Sequence, residues 1–412
     1  MRPISAKRFI DSIGIDTHPN RLRSVWGTSD WEAAFLETGV RNVRGLIGSG
    51  RPGAGAMEHL RRLFDAGVKL CATVAPERAD LDLSTVGENL AFLAKNVGAG
   101  NLCGIESANE YNKPSTRPDN WATRLHQFQA WLDENVKANP NLRQVPVVGP
   151  SIWGRLTSDI VTLGSLEPYL DVSCLHYYTG GRRPTEAGRP SSADEGGGSS
   201  EYTLAEAVRQ ARTQAPDKPL YVTEFGYPIA GPGLPLSSGF ITETAASKYL
   251  IRGLFDLFAA GVEKTFIYSL IDDVERNPPR YHGLLSGSLE RRKTFYAVKN
   301  LVEVMQDSGS GPGLQPLELT IRAPAEVKTM LFQKGNGTFL LAMYQDVDSY
   351  DRRAARDIAV APVPVTLSLD RPAARMEVYT PTLDTSAKLR TMNSNRLTVA
   401  VPDHVAIAAI TM

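Results

Sequence analysis

Glu110 and Glu224 are the two residues around which a reaction could be built. Glu110 follows Asn109 in GIESANEYN, where the apolar run of Leu102, Cys103 and Ile105 stops; Glu224 lies near the end of PLYVTEF. A carboxylate at the end of a buried strand loses hydration and costs free energy unless something compensates. Two carboxylates in unlike surroundings can divide one task. One, with its pKa raised, protonates a departing oxygen, while the other stays ionised and attacks carbon. Cleavage of a glycosidic bond requires that division. Arg44 is expected to favour the charged form of Glu224, and the Tyr178 hydroxyl to donate a hydrogen bond to it. Glu110 has the neutral Asn109 as its neighbour, so poor solvation is expected to keep it protonated near neutral pH.

The elements that position this pair are legible from a recurring turn. LETGVRNVRGLIG, LFDAGVKLCATVAP and LFAAGVEKTFIYSL each end an apolar-periodic helix in Gly-Val and continue into strand-like sequence. Gly39, Gly67 and Gly261 suit the left-handed position just past a helix C-terminus. With that key, strands fall at 12–17, 42–47, 68–74, 101–108, 145–150, 171–178, 219–225 and 264–270. Helical patterns fall at 31–36, 57–64, 90–97, 121–136, 204–211 and 245–260, and RRKTFYAVKNLVEVM follows the last strand. Near-continuous apolar strands alternating with helices imply a parallel sheet covered on both faces. Eight such units predict an α/β fold of the (β/α)8 TIM-barrel type. A doubly wound sheet is the rival, and no glycine-rich phosphate loop supports it.

Beyond the linker DSGSGPGLQP come short alternating runs such as TFLLAMYQ, VPVTLSLD and RLTVAVP. They predict a small C-terminal all-β sandwich. The expected division is 1–312 for the barrel and 313–412 for the β-domain. The second should pack on the barrel's side as a structural appendage, with help from the first residues of the chain.

Active sites of such barrels lie at the C-terminal ends of the strands. The residues expected there are His18, Arg44, Asn109, Glu110, Ser151, Trp153, His176, Tyr178, Glu224 and Tyr268, with Asp272 and Asp273 in the eighth loop. The two carboxyl groups should stand about 5–5.5 Å apart, the retaining distance. His18 reads as a sugar ligand. Trp153 and Trp26, with Tyr111, Tyr177 and Tyr227, could stack on sugar faces, although large aromatics also pack loops. Arg182 and Arg183, in the Gly/Ser/Pro-rich stretch 180–200, read as a solvated loop before they read as contacts to an acidic glycan. Asp272 and Asp273 read as solvated or sugar-bonding rather than as a cation site. No metal or cofactor is implied. Long loops at 179–200 and 228–240 should wall a groove beside the nucleophile strand and favour endo cleavage.

Composition excludes several other classes. Lys plus Arg and Asp plus Glu are 45 each, for a formal net charge of zero, so neither nucleic acid nor an anionic membrane gains global attraction. No stretch approaches the ~18 apolar residues of a membrane span. The opening MRPISAKRFIDSIGID lacks the apolar region of a secretory signal, which leaves a cytoplasmic protein or one whose leader was removed. Cys71, Cys103 and Cys174 lie in apolar runs and read as small buried hydrophobes, not as a disulfide framework or a zinc site. Oligomeric state has no signature here.

The barrel region resembles the clan A glycoside hydrolases, retaining (β/α)8 enzymes. The resemblance rests on Asn109-Glu110 ending strand four, YVTEFGYP in strand seven, Arg44 in strand two, and the His176-x-Tyr178 of strand six. HGLLSGSLERRKTFYAVKNLV is also similar to the closing segment of these barrels. It implies Glu110 as acid/base, Glu224 as nucleophile, Asn109 on the sugar's 2-hydroxyl, and a carbohydrate substrate. The trailing β-domain further resembles family 39 and its relatives, including exopolysaccharide-cleaving endoglycosidases. Tyr268 stands where many clan members carry Trp. A transglycosidase would use the same glutamate pair, and a non-catalytic sugar-binding barrel would commonly have lost one of them.

Overall fold

The computed structural model describes residues 1–19, 21, 25–28, 30–46, 54–75, 81–114, 117–153, 156–186, 203–237, 239–276, 278–307, 309 and 313–412. Eight parallel strands form its centre: β1 (Ile13–Thr17), β2 (Asn42–Leu46), β3 (Lys69–Ala75), β4 (Leu102–Ala108), β5 (Val147–Val148), β6 (Ser173–Tyr177), β7 (Leu220–Phe225) and β8 (Lys264–Ile267). Each pairs with its successor except β5 and β6, which meet through the single bridge Val148–Val172. β8 pairs back onto β1, with Ile13 opposite Thr265. First and last strands joined in this way make a barrel, and the doubly wound alternative is excluded.

The expected helices form at Trp31–Glu37, Ala54–Asp65, Leu83–Asn96, Trp121–Ala138, Leu204–Arg212, Glu243–Ala259 and Lys293–Met305. Their starts carry local caps. The Asp82 side chain accepts from Ser84 N, Thr203 and Glu206 make a reciprocal capping box, and Thr242 accepts from Ala245 N. Gly39, Gly67 and Gly261 have φ of 75°, 80° and 80°, the left-handed turn that the Gly-Val pattern predicts. Further helices are Ala6–Ile10, Val25–Thr28 and Leu156–Leu163, the last of which separates β5 from β6.

Side chains from β3 to β8 meet across the ring as an apolar layer that includes Cys71, Cys103, Cys174, Tyr221 and Phe266. All three cysteines are buried and free, as their apolar surroundings predict. The polar residues lie above this layer.

The main sheet of the β-domain is built from β9 (Leu319–Arg322), β10 (Val327–Gln333), β11 (Phe339–Gln345), β12 (Val363–Tyr379), β13 (Leu389–Val401) and β14 (Ala406–Thr411), and Tyr350–Asp351 with Arg356–Asp357 forms a second, two-stranded one. The order of the main sheet is Ile4–Ser5, β10, β11, β14, β12, β9, with β13 also on β12. The register of β12 against β13 breaks between Ser368 and Ala373. The β12 residues before this break pair with β9, and those after it with β14. A core of Leu341, Met343, Val365, Leu367, Val399 and Ile410 lies on one face. The other face presents Phe332, Leu340, Ala342, Tyr344 and Ile407 to the barrel's core. Every residue of β11 is therefore buried, since alternate side chains serve two cores. Phe332 packs on Phe9 and Phe255, with centroids 5.2 and 5.9 Å away. The Ile4–Ser5 pairing beside β10 supplies the expected help from the first residues.

Candidate active site

Arg44 organises the mouth of the barrel. It points inward from β2, is buried, and donates to four partners. Its Nε and Nη2 embrace Glu106 of β4, with Nη2–Oε1 at 2.8 Å. Its Nη1 lies 3.0 Å from both Asp16 Oδ1 and Glu224 Oε1, and Nη2 lies 2.7 Å from Asn109 Oδ1. A buried guanidinium is sustainable only with such counter-charges.

Glu106 and Asp16 are site residues that the sequence pattern did not single out. Glu106 is fully buried and accepts from Thr73 and Thr223 as well as Arg44, at 2.9 and 3.0 Å. Burial pushes its carboxyl up, but the Arg44 charge and hydrogen bonds outweigh this and hold it below the usual carboxylate range. Asp16 has weaker support, with Oδ2 buried and lacking a hydrogen-bond partner. Burial drives its pKa well up against the pull of Arg44, with Glu224 and Glu106 adding repulsion.

Glu224 ends β7, where Arg44 holds Oε1 and the Tyr178 hydroxyl donates to Oε2 at 2.7 Å. Both expected contacts are present. Burial and the Glu224 charge raise the Tyr178 pKa far above its ordinary value, so the phenol remains a donor.

Glu110 sits one residue beyond the bridge between Asn109 and Ser151. Its backbone N–H donates to both Ser151 O and Ser151 Oγ, at 3.1 and 3.2 Å. Its φ is 50°, a left-handed conformation that a side chain with a β-carbon rarely adopts. His176 Nδ1 lies 3.0 Å from Glu110 Oε1 and 3.6 Å from Glu224 Oε2. The three residues present ligand atoms within 4.8 Å of one another, close enough to hold a metal ion. The hydrogen bonds just described account for that closeness without one.

The expected protonation of Glu110 needs correction. Burial does push its carboxyl up, but the hydrogen bond and charge of His176 outweigh burial and hold it below the usual range. His176 moves the other way. Burial lowers it, while the Glu224 charge and the Glu110 hydrogen bond raise it above its ordinary value. In the free protein the proton therefore resides on the imidazole.

Around this centre, Tyr268 is buried and meets His18, Tyr178 and His282 edge-on, with centroids 6.0, 6.4 and 5.6 Å away. The Tyr268–Ser269 peptide is cis. His18 is held neutral, its pKa pulled down to about 3 by burial and by Arg21; its Nε2 is buried without a hydrogen-bond partner. Trp153 is half-buried, and its backbone is clamped to the Asn112 side chain in both directions, at 2.8 and 2.9 Å.

Several candidates belong to the scaffold instead. Trp26, Tyr111, Tyr177 and Tyr227 are buried, and Trp26 packs against Trp31, so none of the four offers a platform. Asp272 takes Arg292 and Gly283 N, while Asp273 pairs with Arg21 at 2.7 Å. Arg182 and Arg183 are tied to Glu186 and Asp346. Residues 187–200, the rest of the loop after β6, lie outside the described residues.

No protein-family profile matches the sequence, and no curated protein matches it. Solved structures do match the fold. A family 39 glycoside hydrolase from Bacteroides cellulosilyticus WH2 superposes with a TM-score of 0.65 at 11% identity, covering 99% of this chain and 82% of that one. A monomeric β-xylosidase from Caulobacter crescentus CB15 gives 0.61 at 13%, covering 100% and 97%. A β-1,3-glucanosyltransferase from Rhizomucor miehei gives 0.50 at 13%, covering 70% and 96%. A TIM barrel followed by a β-sandwich domain is thus the fold of family 39 glycoside hydrolase structures and of this chain. Among the described residues no helix is long and apolar enough to cross a membrane.

Proposed function

We propose that the protein is a retaining glycoside hydrolase with Glu224 as nucleophile and Glu110 as acid/base. One observation carries this: two carboxylates whose oxygens approach within 4.8 Å are held by different donors, of which only the one on Glu110 is an imidazole able to pass on a proton. Arg44 and Tyr178 direct donors at Glu224, while Glu110 is hydrogen-bonded to His176 Nδ1. The short approach suits a nucleophile and an acid rather than an acid and a water-activating base, which need about 6.5–9.5 Å.

In the first step a Glu224 oxygen attacks the anomeric carbon as the bond to the leaving oxygen breaks. That oxygen takes a proton through Glu110, to which His176 first passes it from Nδ1, leaving the imidazole neutral and Glu110 a carboxylate. In the second step water attacks the anomeric carbon, Glu110 accepts its proton, and Glu224 is released as carboxylate. Arg44 and Ser151 both donate to the Asn109 amide oxygen, which turns its Nδ2 donor toward the cleft and the sugar's 2-hydroxyl. Tyr268, Tyr178, His18 and Trp153 border the sugar.

A transglycosidase would differ only in letting a second sugar, not water, attack the intermediate. The loop after β7 folds back on itself through the Ile229–Ile241 and Gly231–Leu234 bridges. With Trp153 half-buried after β5, we favour an open groove and endo cleavage. The test is a screen of aryl glycosides and polysaccharides, with Glu110→Gln and Glu224→Gln as controls. Loss of the general acid should lower turnover about 10²–10⁴-fold and spare substrates with good leaving groups. Loss of the nucleophile should abolish turnover of every substrate. Early mixed-length products support endo action, and glycosyl transfer to added sugar identifies a transglycosidase. Full activity in either variant rejects the assignment.

A further inference from the structure

Most cations near the cleft are already engaged. Arg44 is shared among Glu106, Asp16, Glu224 and Asn109, Arg21 pairs with Asp273, and Arg292 spans Asp272 and Glu243. Arg280 differs. It comes from the loop after β8, where its backbone exchanges two hydrogen bonds with Asp273, at 2.9 and 3.0 Å. The next two residues are fixed as well. Tyr281 O accepts from Ile229 N at 2.7 Å, and Tyr281 OH donates to Pro232 O at 2.9 Å. His282 O accepts from Ser269 N, and its ring meets Tyr178 and Tyr268 edge-on.

This tether sets Arg280 two residues before the His282 ring that meets Tyr178 and Tyr268, on the strand-eight side of the cleft. Its guanidinium is half-buried and makes no hydrogen bond or ion pair with any described residue. Burial lowers its pKa, but the charges of nearby groups, among them Tyr268, Glu110, Tyr178 and Glu224, outweigh this and raise it. Its N–H donors are not among the buried groups left without a partner, so water reaches them, and a ligand that brings an acceptor would replace that water. The planar fork of a guanidinium fits a carboxylate in two-point contact, and a preplaced charge needs little reorganisation to bind it.

We infer that Arg280 receives a carboxylate carried by the sugar at or beside the cleavage point, so that the substrate class is a uronate-containing glycan. The inference rests on the glycosidase reading above and narrows it. It also moves acid recognition from Arg182 and Arg183, which the β6 loop and the β-domain occupy, to the loop after β8.

The test compares acidic polysaccharides (alginate, polygalacturonate, hyaluronan) with neutral ones (laminarin, xylan) by release of reducing ends. Wild type should cleave an acidic glycan, with KM rising as salt is added. Arg280→Gln should lower kcat/KM on that glycan by roughly 10- to 100-fold, mainly through KM, the loss expected of a charge-assisted pair. Arg280→Lys should recover part of it, and unfolding midpoints of both variants should match wild type. Cleavage of neutral glycans only overturns the inference and leaves the glycosidase standing. An Arg280→Gln variant that is unchanged on acidic glycan, or equally impaired on acidic and neutral ones, overturns it too. Should wild type cleave none of the panel, both readings fall together.

Discussion

His176 Nδ1 lies 3.0 Å from Glu110 Oε1, and the two residues hold one proton between them with the imidazole as its resting place. The protein thus keeps its proton donor charged at one remove from the bond to be broken.

That arrangement sets a pH window. The singly protonated pair persists from below the ordinary Glu range to above the ordinary His value near 6.5. The alkaline limb of kcat/KM should therefore lie above about pH 6.5, and His176→Gln should move it to lower pH. Stability follows the same signs. The contribution of His176 is full below its unfolded pKa and is lost as pH rises through its raised folded value. The contribution of Glu110 is present above its unfolded pKa and is lost as pH falls through its lowered one. Urea unfolding should show a larger penalty for His176→Gln at pH 5.5 than at pH 8.5; equal penalties would contradict the shared proton.

Replacing Arg44 tests the buried charge layer. Arg44→Met strands Glu106, Asp16 and Glu224 together and should cost about 3–5 kcal/mol of stability. The pair Arg44→Met with Glu106→Gln should recover part of that loss, because one orphaned charge goes with its partner. Chemical denaturation of the two variants decides it.

The visible and invisible parts of this layer show what the sequence could reveal. Gly-Val turns and apolar strands mark the barrel because each is a local device with a local cause. Glu110 and Glu224 stand out because strand ends of a barrel share one rim. Glu106 and Asp16 do not, since their partner lies across the barrel and such a pairing leaves no periodic trace. A usable signal existed. An arginine within the apolar strand NVRGLI must find buried counter-charge, and GIES and SIGID supply the acids. The sequence points to a protonated Glu110 for the same reason, because His176 is distant in sequence and adjacent in space.

Gly226 tests the role of Tyr268. A β-carbon on Gly226 would stand 2.2 Å from the Tyr268 carbonyl oxygen, which is backbone and cannot swing aside. Gly226→Ala should displace Tyr268 at a cost of roughly 1–3 kcal/mol. Activity should fall even at temperatures where far-UV circular dichroism shows the variant folded. Unchanged kinetics would remove Tyr268 from the sugar site.

Arg252 tests the union of barrel and β-domain. Fully buried in helix Glu243–Ala259, it donates to Val347 O, Asp403 O and Asp346 Oδ1, at 2.8, 3.2 and 3.2 Å. Arg252→Leu should destabilise by about 3 kcal/mol, the low end for a broken buried pair, since Asp346 keeps some solvent. Hydrogen exchange should rise first in 339–357 and 403–411. Protection lost evenly across the barrel would argue against a junction effect.

The left-handed backbone at Glu110 also has a bearing on selection. Its conformation favours glycine or asparagine over a longer side chain, by about 1 kcal/mol or more. A mutant library sorted for heat tolerance alone would therefore enrich replacements at the position we assign to proton transfer. Thermal hardening of this protein calls for position 110 to be held fixed, or for each round to be scored on turnover as well as melting.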